Sequence, residues 1–192
     1  MRGRLTLLAV IAVTILGVSA CATSADGMRV VARNAPAGAG QAGGGGQDSA
    51  ASAQKPVTVP QSLAFSARTL DGKPFDAASL AGKPVVLWFC APWCPTCVGE
   101  AGSVADLAPK YTGKVAFVGV AGMGGEPEMR QFVTEGEVGG IPHLSDNAGT
   151  IWRRFGITEQ SVYVLIDRAG NVVLKGFLDD LRLTDEVARL AG

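Results

Sequence analysis

Cys94-Pro95-Thr96-Cys97 is the segment of this 192-residue sequence best suited to chemistry. It follows a short apolar run, Pro84 to Phe89, and opens a stretch with helical spacing, so both sulfurs fall on the first turn of a helix that leaves a strand. Cysteines three apart on such a turn lie close enough to close a small disulfide ring. The first sulfur faces the unpaired amides and the positive end of the helix, an arrangement that favours a thiolate. Cys94 is therefore expected to attack a partner's disulfide, and Cys97, in a more sheltered position, to resolve the mixed disulfide. A CxxC can also be half of a zinc site, but no second CxxC and no HxxxH accompanies it. Neither a metal nor a cofactor is expected.

Two other residues could join this pair. Cys90 creates the spacing Cys90-x3-Cys94-x2-Cys97, which matches an iron–sulfur cluster of radical chemistry, yet the chain is too short for the barrel that chemistry uses. A buried, inert thiol at a strand end is the simpler reading. His143 is the sole histidine; on an expected strand it reads as structural rather than as a ligand.

The elements that must hold the cysteines alternate along the chain. Residues 63–69 alternate apolar and polar side chains and end at the turn signal Leu70-Asp71-Gly72-Lys73. The run 84–89 has the pattern of a strand covered on both faces and is the expected central strand. Helical spacing occupies 94–111, a second buried strand 115–120, and a helix 128–135. A short helix over 151–155, a hairpin of 162–166 and 171–177 closed by Asp167 to Gly170, and a capped helix over 184–190 complete the chain. The pattern predicts an α/β fold with a mixed sheet and helices on both faces.

Composition narrows the setting. Seventeen basic and seventeen acidic residues leave no net charge and no basic run, which argues against a nucleic-acid partner. Arg2 and Arg4 precede an apolar run, Leu5 to Val18, that is charged-then-apolar like an export signal and too short to span a bilayer. Val18-Ser19-Ala20-Cys21 resembles the bacterial lipoprotein box, in which the cysteine is acylated and becomes the first mature residue. Residues 1–20 are thus expected to be a lipoprotein signal peptide. Residues 21–56 would be the lipidated Cys21 and a flexible Gly- and Ala-rich linker, including the run Gly43 to Gly46, and 57–192 the folded domain.

The stretch Val86 to Glu100, with its Trp93-Cys94-Pro95-Thr96-Cys97 core, resembles the active site of the TlpA, ResA and DsbE group of thioredoxin-fold lipoproteins, and within it the mycobacterial DsbF-type members. The likeness extends to Leu70-Asp71-Gly72, Gly82-Lys83-Pro84, Phe117 to Gly122 and Trp152 to Ile157. It implies a thioredoxin-like domain, a redox-active Cys94–Cys97 disulfide, and exchange with exported protein thiols and disulfides. It further implies a membrane redox partner that recycles the pair, at the extracytoplasmic face of the cell membrane. The resemblance makes Glu100 an acid that moves protons to or from Cys97, and places a substrate groove at Trp93, Pro95, Thr96, Gln160 and Ser161. Similarity to the actinobacterial members favours an oxidant over the alternatives, a reductant for cytochrome c maturation or a copper-binding chaperone using the same cysteines. Three positions depart from the pattern: Cys90 where relatives carry tryptophan, Gly102 in place of a helix-kinking proline, and Ser161 in place of a cis-proline. A cis bond before a non-proline residue costs about 2.5–4 kcal/mol, so the Gln160–Ser161 peptide is expected to be trans.

Overall fold

The computed structural model describes residues 58–192. Cys21 and the expected signal and linker segments lie outside them. The alternating stretch at the start of the domain yields only a short strand, Ser66–Arg68 (β1), which pairs antiparallel with Pro74–Asp76 (β2) as a separate two-stranded sheet. Gly72 in the connecting turn has φ 80, where a side chain would be strained.

The remaining elements follow as Val85–Cys90 (β3), Pro95–Lys110 (α1), Ala116–Ala121 (β4), Glu126–Glu135 (α2), His143–Ser145 (β5), Thr150–Arg154 (α3), Val162–Ile166 (β6), Val172–Gly176 (β7) and Asp180–Ala191 (α4). The main sheet has the order β5-β4-β3-β6-β7. Its β3–β4 and β4–β5 pairs are parallel, and β3–β6 and β6–β7 are antiparallel. The sheet is mixed, with β3 at its centre, as the apolar run predicts. Every residue of β3 is buried because both of its faces are covered.

Alternation along β3 divides the core. Val86, Trp88 and Cys90 pack with Val104 and Leu107 of α1, Met129 and Phe132 of α2, and Leu183 and Val187 of α4. Val85, Leu87 and Phe89 face the other way, toward Ile151 and Trp152 of α3 and Leu63. The even residues thus carry the sheet's contact with α1, the helix that bears the cysteines. Gly102 lies exposed on α1 with open space about it, and the helix runs through it unbroken.

Element ends differ from the expected ones for local reasons. α2 starts at Glu126, ahead of 128, with Pro127 in its first turn, where a missing N–H is harmless. α4 starts at Asp180, ahead of 184, because the Asp179 carboxylate accepts the N–H of Arg182 at 2.9 Å.

Candidate active site

Cys94 occupies the residue before α1, in extended geometry, and Pro95 begins the helix with a ring that needs no N–H partner. The Cys94 Sγ accepts the backbone N–H of Cys97 at 3.2 Å, so the sulfur itself caps the helix. Cys90, Cys94 and Cys97 are all free thiols. Cys94 is 1% exposed and Cys97 0%, so exposure does not separate the two as expected. What separates them is the cap, in which the Cys97 N–H at the start of the helix donates to the Cys94 sulfur.

The surface around Cys94 is formed by Trp93, Pro95 and Thr96, all exposed. The Trp93 indole N–H donates to the Met123 carbonyl at 2.7 Å. Beside it, a Cβ on Gly124 would fall 2.4 Å from Pro92 Cγ, so only glycine lets the 122–125 loop lie against the segment that carries Cys94. Sequence reasoning missed this clasp. Its only local signal is the small-residue run Ala121 to Gly125, interrupted by Met123.

Glu100 lies one helical turn after Cys97 on the same face and is 4% exposed. Its two carboxylate oxygens are held by separate elements: Oε2 accepts the Trp88 indole N–H of β3 at 2.8 Å, and Oε1 accepts the Ser161 hydroxyl at 2.6 Å. Burial raises the Glu100 pKa above the ordinary carboxyl range, and the Ser161 and Trp88 hydrogen bonds oppose that rise. Cys97 is pushed far above an ordinary thiol, first by burial and then by its hydrogen bond with Cys94, with Glu100 adding to the effect. Helix α1 therefore sets a proton-hungry thiol one turn from a buried acid.

Ser161 is buried, and no peptide bond among the described residues is cis, so the Gln160–Ser161 bond is trans. The residue sits at φ 63, a left-handed conformation that costs a non-glycine residue about 1–2 kcal/mol. Two bonds hold it there: its N–H donates to the Phe89 carbonyl at 2.9 Å, and its hydroxyl to Glu100. Proline could adopt neither this φ nor the first bond. The expected groove residue thus turns its side chain inward, while Gln160 remains half-buried.

Cys90 ends β3, fully buried, and burial raises its pKa well above the ordinary thiol range. His143 opens β5 in the core: its Nε2 lies 3.0 Å from the Val138 carbonyl, and its ring fills the space left by Gly119, where a Cβ would come 2.2 Å from Nδ1. Burial lowers its pKa. Among the described residues, no group of three or more His, Cys, Asp or Glu side chains is placed to hold a metal ion.

The family pattern described as Redoxin matches residues 52–190. The Soluble secreted antigen MPT53 of Mycobacterium tuberculosis H37Rv is 40% identical over 114 residues, 59% of this chain and 65% of that protein. The match thus spans slightly less than two thirds of that relative. Among solved structures, MTB dsbF in its mixed oxidized and reduced forms shares 47% identity with a TM-score of 0.66, over 69% of this chain and 99% of its own. A secreted Mycobacterium tuberculosis disulfide oxidoreductase homologous to E. coli DsbE shares 36% identity with a TM-score of 0.63, over 67% of this chain and 98% of its own.

Proposed function

The chain belongs to the Redoxin family and has a thioredoxin-like fold, and from that premise we propose that it is an exported, lipid-anchored thiol:disulfide oxidoreductase that oxidises exported proteins through Cys94 and Cys97. The observation that carries this reading is the Cys94 sulfur capping α1 through the Cys97 N–H, with Glu100 one turn further on. In the oxidising direction, a client thiolate attacks Cys94 of the Cys94–Cys97 disulfide, forming a mixed disulfide and releasing Cys97 as a thiolate. That buried sulfur takes up a proton, and Glu100 is the acid nearest along the helix to supply it. A second client thiolate then attacks the client sulfur, releasing Cys94. Two electrons have passed from the client dithiol to the pair, and a membrane redox partner that accepts them restores the disulfide.

Exposed Trp93, Pro95 and Thr96 are the surface a client segment would meet first, with Gln160 in the loop that precedes β6. Support for the oxidising direction comes from likeness to disulfide oxidoreductases described as secreted, and from the oxidising character of compartments outside the cytoplasm. Equilibration of the full chain with glutathione buffers tests it. A single two-electron transition at about −200 mV or above is expected for a disulfide donor, whereas a value near −270 mV, typical of thioredoxin, would make it a reductant.

The anchor rests on Val18-Ser19-Ala20-Cys21. Acylation at Cys21 would hold the domain at the extracytoplasmic face through a linker of residues 21–56. Among the described residues, no helix is long and apolar enough to cross a membrane. Cys21→Ala is expected to move the protein from the membrane fraction to the medium or to leave an uncleaved precursor. Wild-type protein recovered lipid-free would remove the anchor from this reading.

A further inference from the structure

The carboxyl group of Glu100 is gripped from two sides. Trp88 reaches it from the centre of β3, and Ser161 from the loop that enters β6, 61 residues away in sequence. The Ser161 backbone is itself fixed to β3 through the Phe89 carbonyl, in a left-handed conformation that an unconstrained serine would leave. The strained backbone and the 2.6 Å hydroxyl contact serve the same end, since a different φ at residue 161 would swing the hydroxyl away from the carboxylate.

We infer that Ser161 is a positioning residue for disulfide exchange: its hydroxyl, with the Trp88 indole, holds the Glu100 carboxyl in place one turn from Cys97 and sets the pH at which that acid gives or takes a proton. The inference rests on the exchange reaction proposed above. A hydrogen bond donated to a carboxylate stabilises the charged form, so each donor draws the acid's titration downward against burial. Deleting the serine hydroxyl leaves one donor, and the acid then keeps its proton to higher pH.

Other groups around this carboxyl bear on the same titration. Cys97 lies one turn back on α1 with Cys94 beside it, Cys90 comes from β3, Tyr163 from β6 and Asp180 from α4. Burial pushes Cys90, Cys97 and Tyr163 upward, so the three are neutral over the range in which Glu100 ionises. Asp180 is exposed, and its negative charge raises the Glu100 titration. Replacing Ser161 leaves all five in place.

The test compares Ser161→Ala and Ser161→Gly in the full chain, with and without Glu100→Gln. Both substitutions remove the hydroxyl, but glycine also relieves the left-handed strain. The pH midpoint of exchange, and the ¹³C titration of the Glu100 carboxyl in the reduced protein, are expected to move up by about one pH unit in both variants. In the Glu100→Gln background the Ser161 substitutions should leave the exchange profile unmoved. A shift in alanine but not in glycine would assign the effect to the backbone and overturn the inference, as would an unmoved midpoint or one that still moves without Glu100. The carboxyl titration needs no turnover, so wild-type protein that fails to exchange disulfides would sink the proposed function while the role of Ser161 was still read directly.

Discussion

Cys97→Ser is expected to accumulate a stable mixed disulfide on reaction with an oxidised peptide or with glutathione disulfide, linked through Cys94, while Cys94→Ser forms none and loses exchange down to the uncatalysed rate. The expectation follows from the helix start. The Cys94 sulfur accepts the Cys97 N–H and stands in the field of the α1 amides, whereas Cys97 lies inside the first turn with a strongly raised pKa. Without Cys97 the mixed disulfide has no thiol placed to release it. Cys90 tests the assignment from another side: its burial at the end of β3 predicts that Cys90→Ala leaves the exchange rate unchanged and that Cys90 does not resolve the trapped species in Cys97→Ser. Non-reducing gels and mass mapping of the adduct read all of these results. An adduct at Cys90, or trapping by Cys94→Ser instead, would reverse the roles.

Glu100→Gln should slow exchange by about a hundredfold while making the protein more resistant to urea at neutral and alkaline pH. The rate falls because glutamine keeps an oxygen for the Trp88 N–H and an amide that the Ser161 hydroxyl can accept from, but cannot carry a proton to or from Cys97, and positioned proton transfer contributes roughly 10²–10⁴ in rate. The stability change has a definite sign. Burial raises the folded-state pKa of Glu100 above its unfolded value, so the native protein binds this proton more tightly than the unfolded chain does. The associated stability is fully present below the unfolded carboxyl range and is lost as pH rises through the folded value. Glutamine stays neutral throughout, so the two proteins should converge in acid and separate, with the variant ahead, once Glu100 ionises. Equal stability at every pH would mean that the carboxyl carries no burial penalty. An unchanged rate would remove its part in proton transfer.

The sequence already displayed what depends on neighbours along the chain. Cys94 and Cys97 are three apart at the join of an apolar run and a helical one, and Glu100 follows at the same spacing, so cap, pair and acid could be placed on one helix face. The central, fully covered position of β3 was equally plain in its unbroken apolar run. Strands β1, β2 and β5 are three residues each, too short for alternation to mark their extent or, for β2, its presence. The start of α4 was missed because Asp179 competes with Thr184 as a capping residue, and only the bond to the Arg182 N–H decides between them.

What could not be read locally is what surrounds the acid and the thiols. Trp88 and Ser161 meet Glu100 across 12 and 61 residues of sequence, through β3 and β6 lying side by side. A buried indole N–H needs a partner, which marks Trp88 as requiring one without naming it. Ser161 stood out only as a departure from a familiar proline, a position that suggested the groove rather than the interior. The near-complete burial of Cys94 also escaped prediction, since spacing along the chain places a sulfur on a helix turn without showing what packs over it.

The central claim, that Cys94 is the sulfur through which the pair joins its client, is tested most directly by timed alkylation of the fully reduced chain at neutral pH with peptide mapping of the label. Cys94 should be modified first, by roughly tenfold or more over Cys97 and Cys90, because its sulfur takes the cap position of the helix and accepts the Cys97 N–H. Labelling of Cys97 or Cys90 ahead of Cys94 would contradict it.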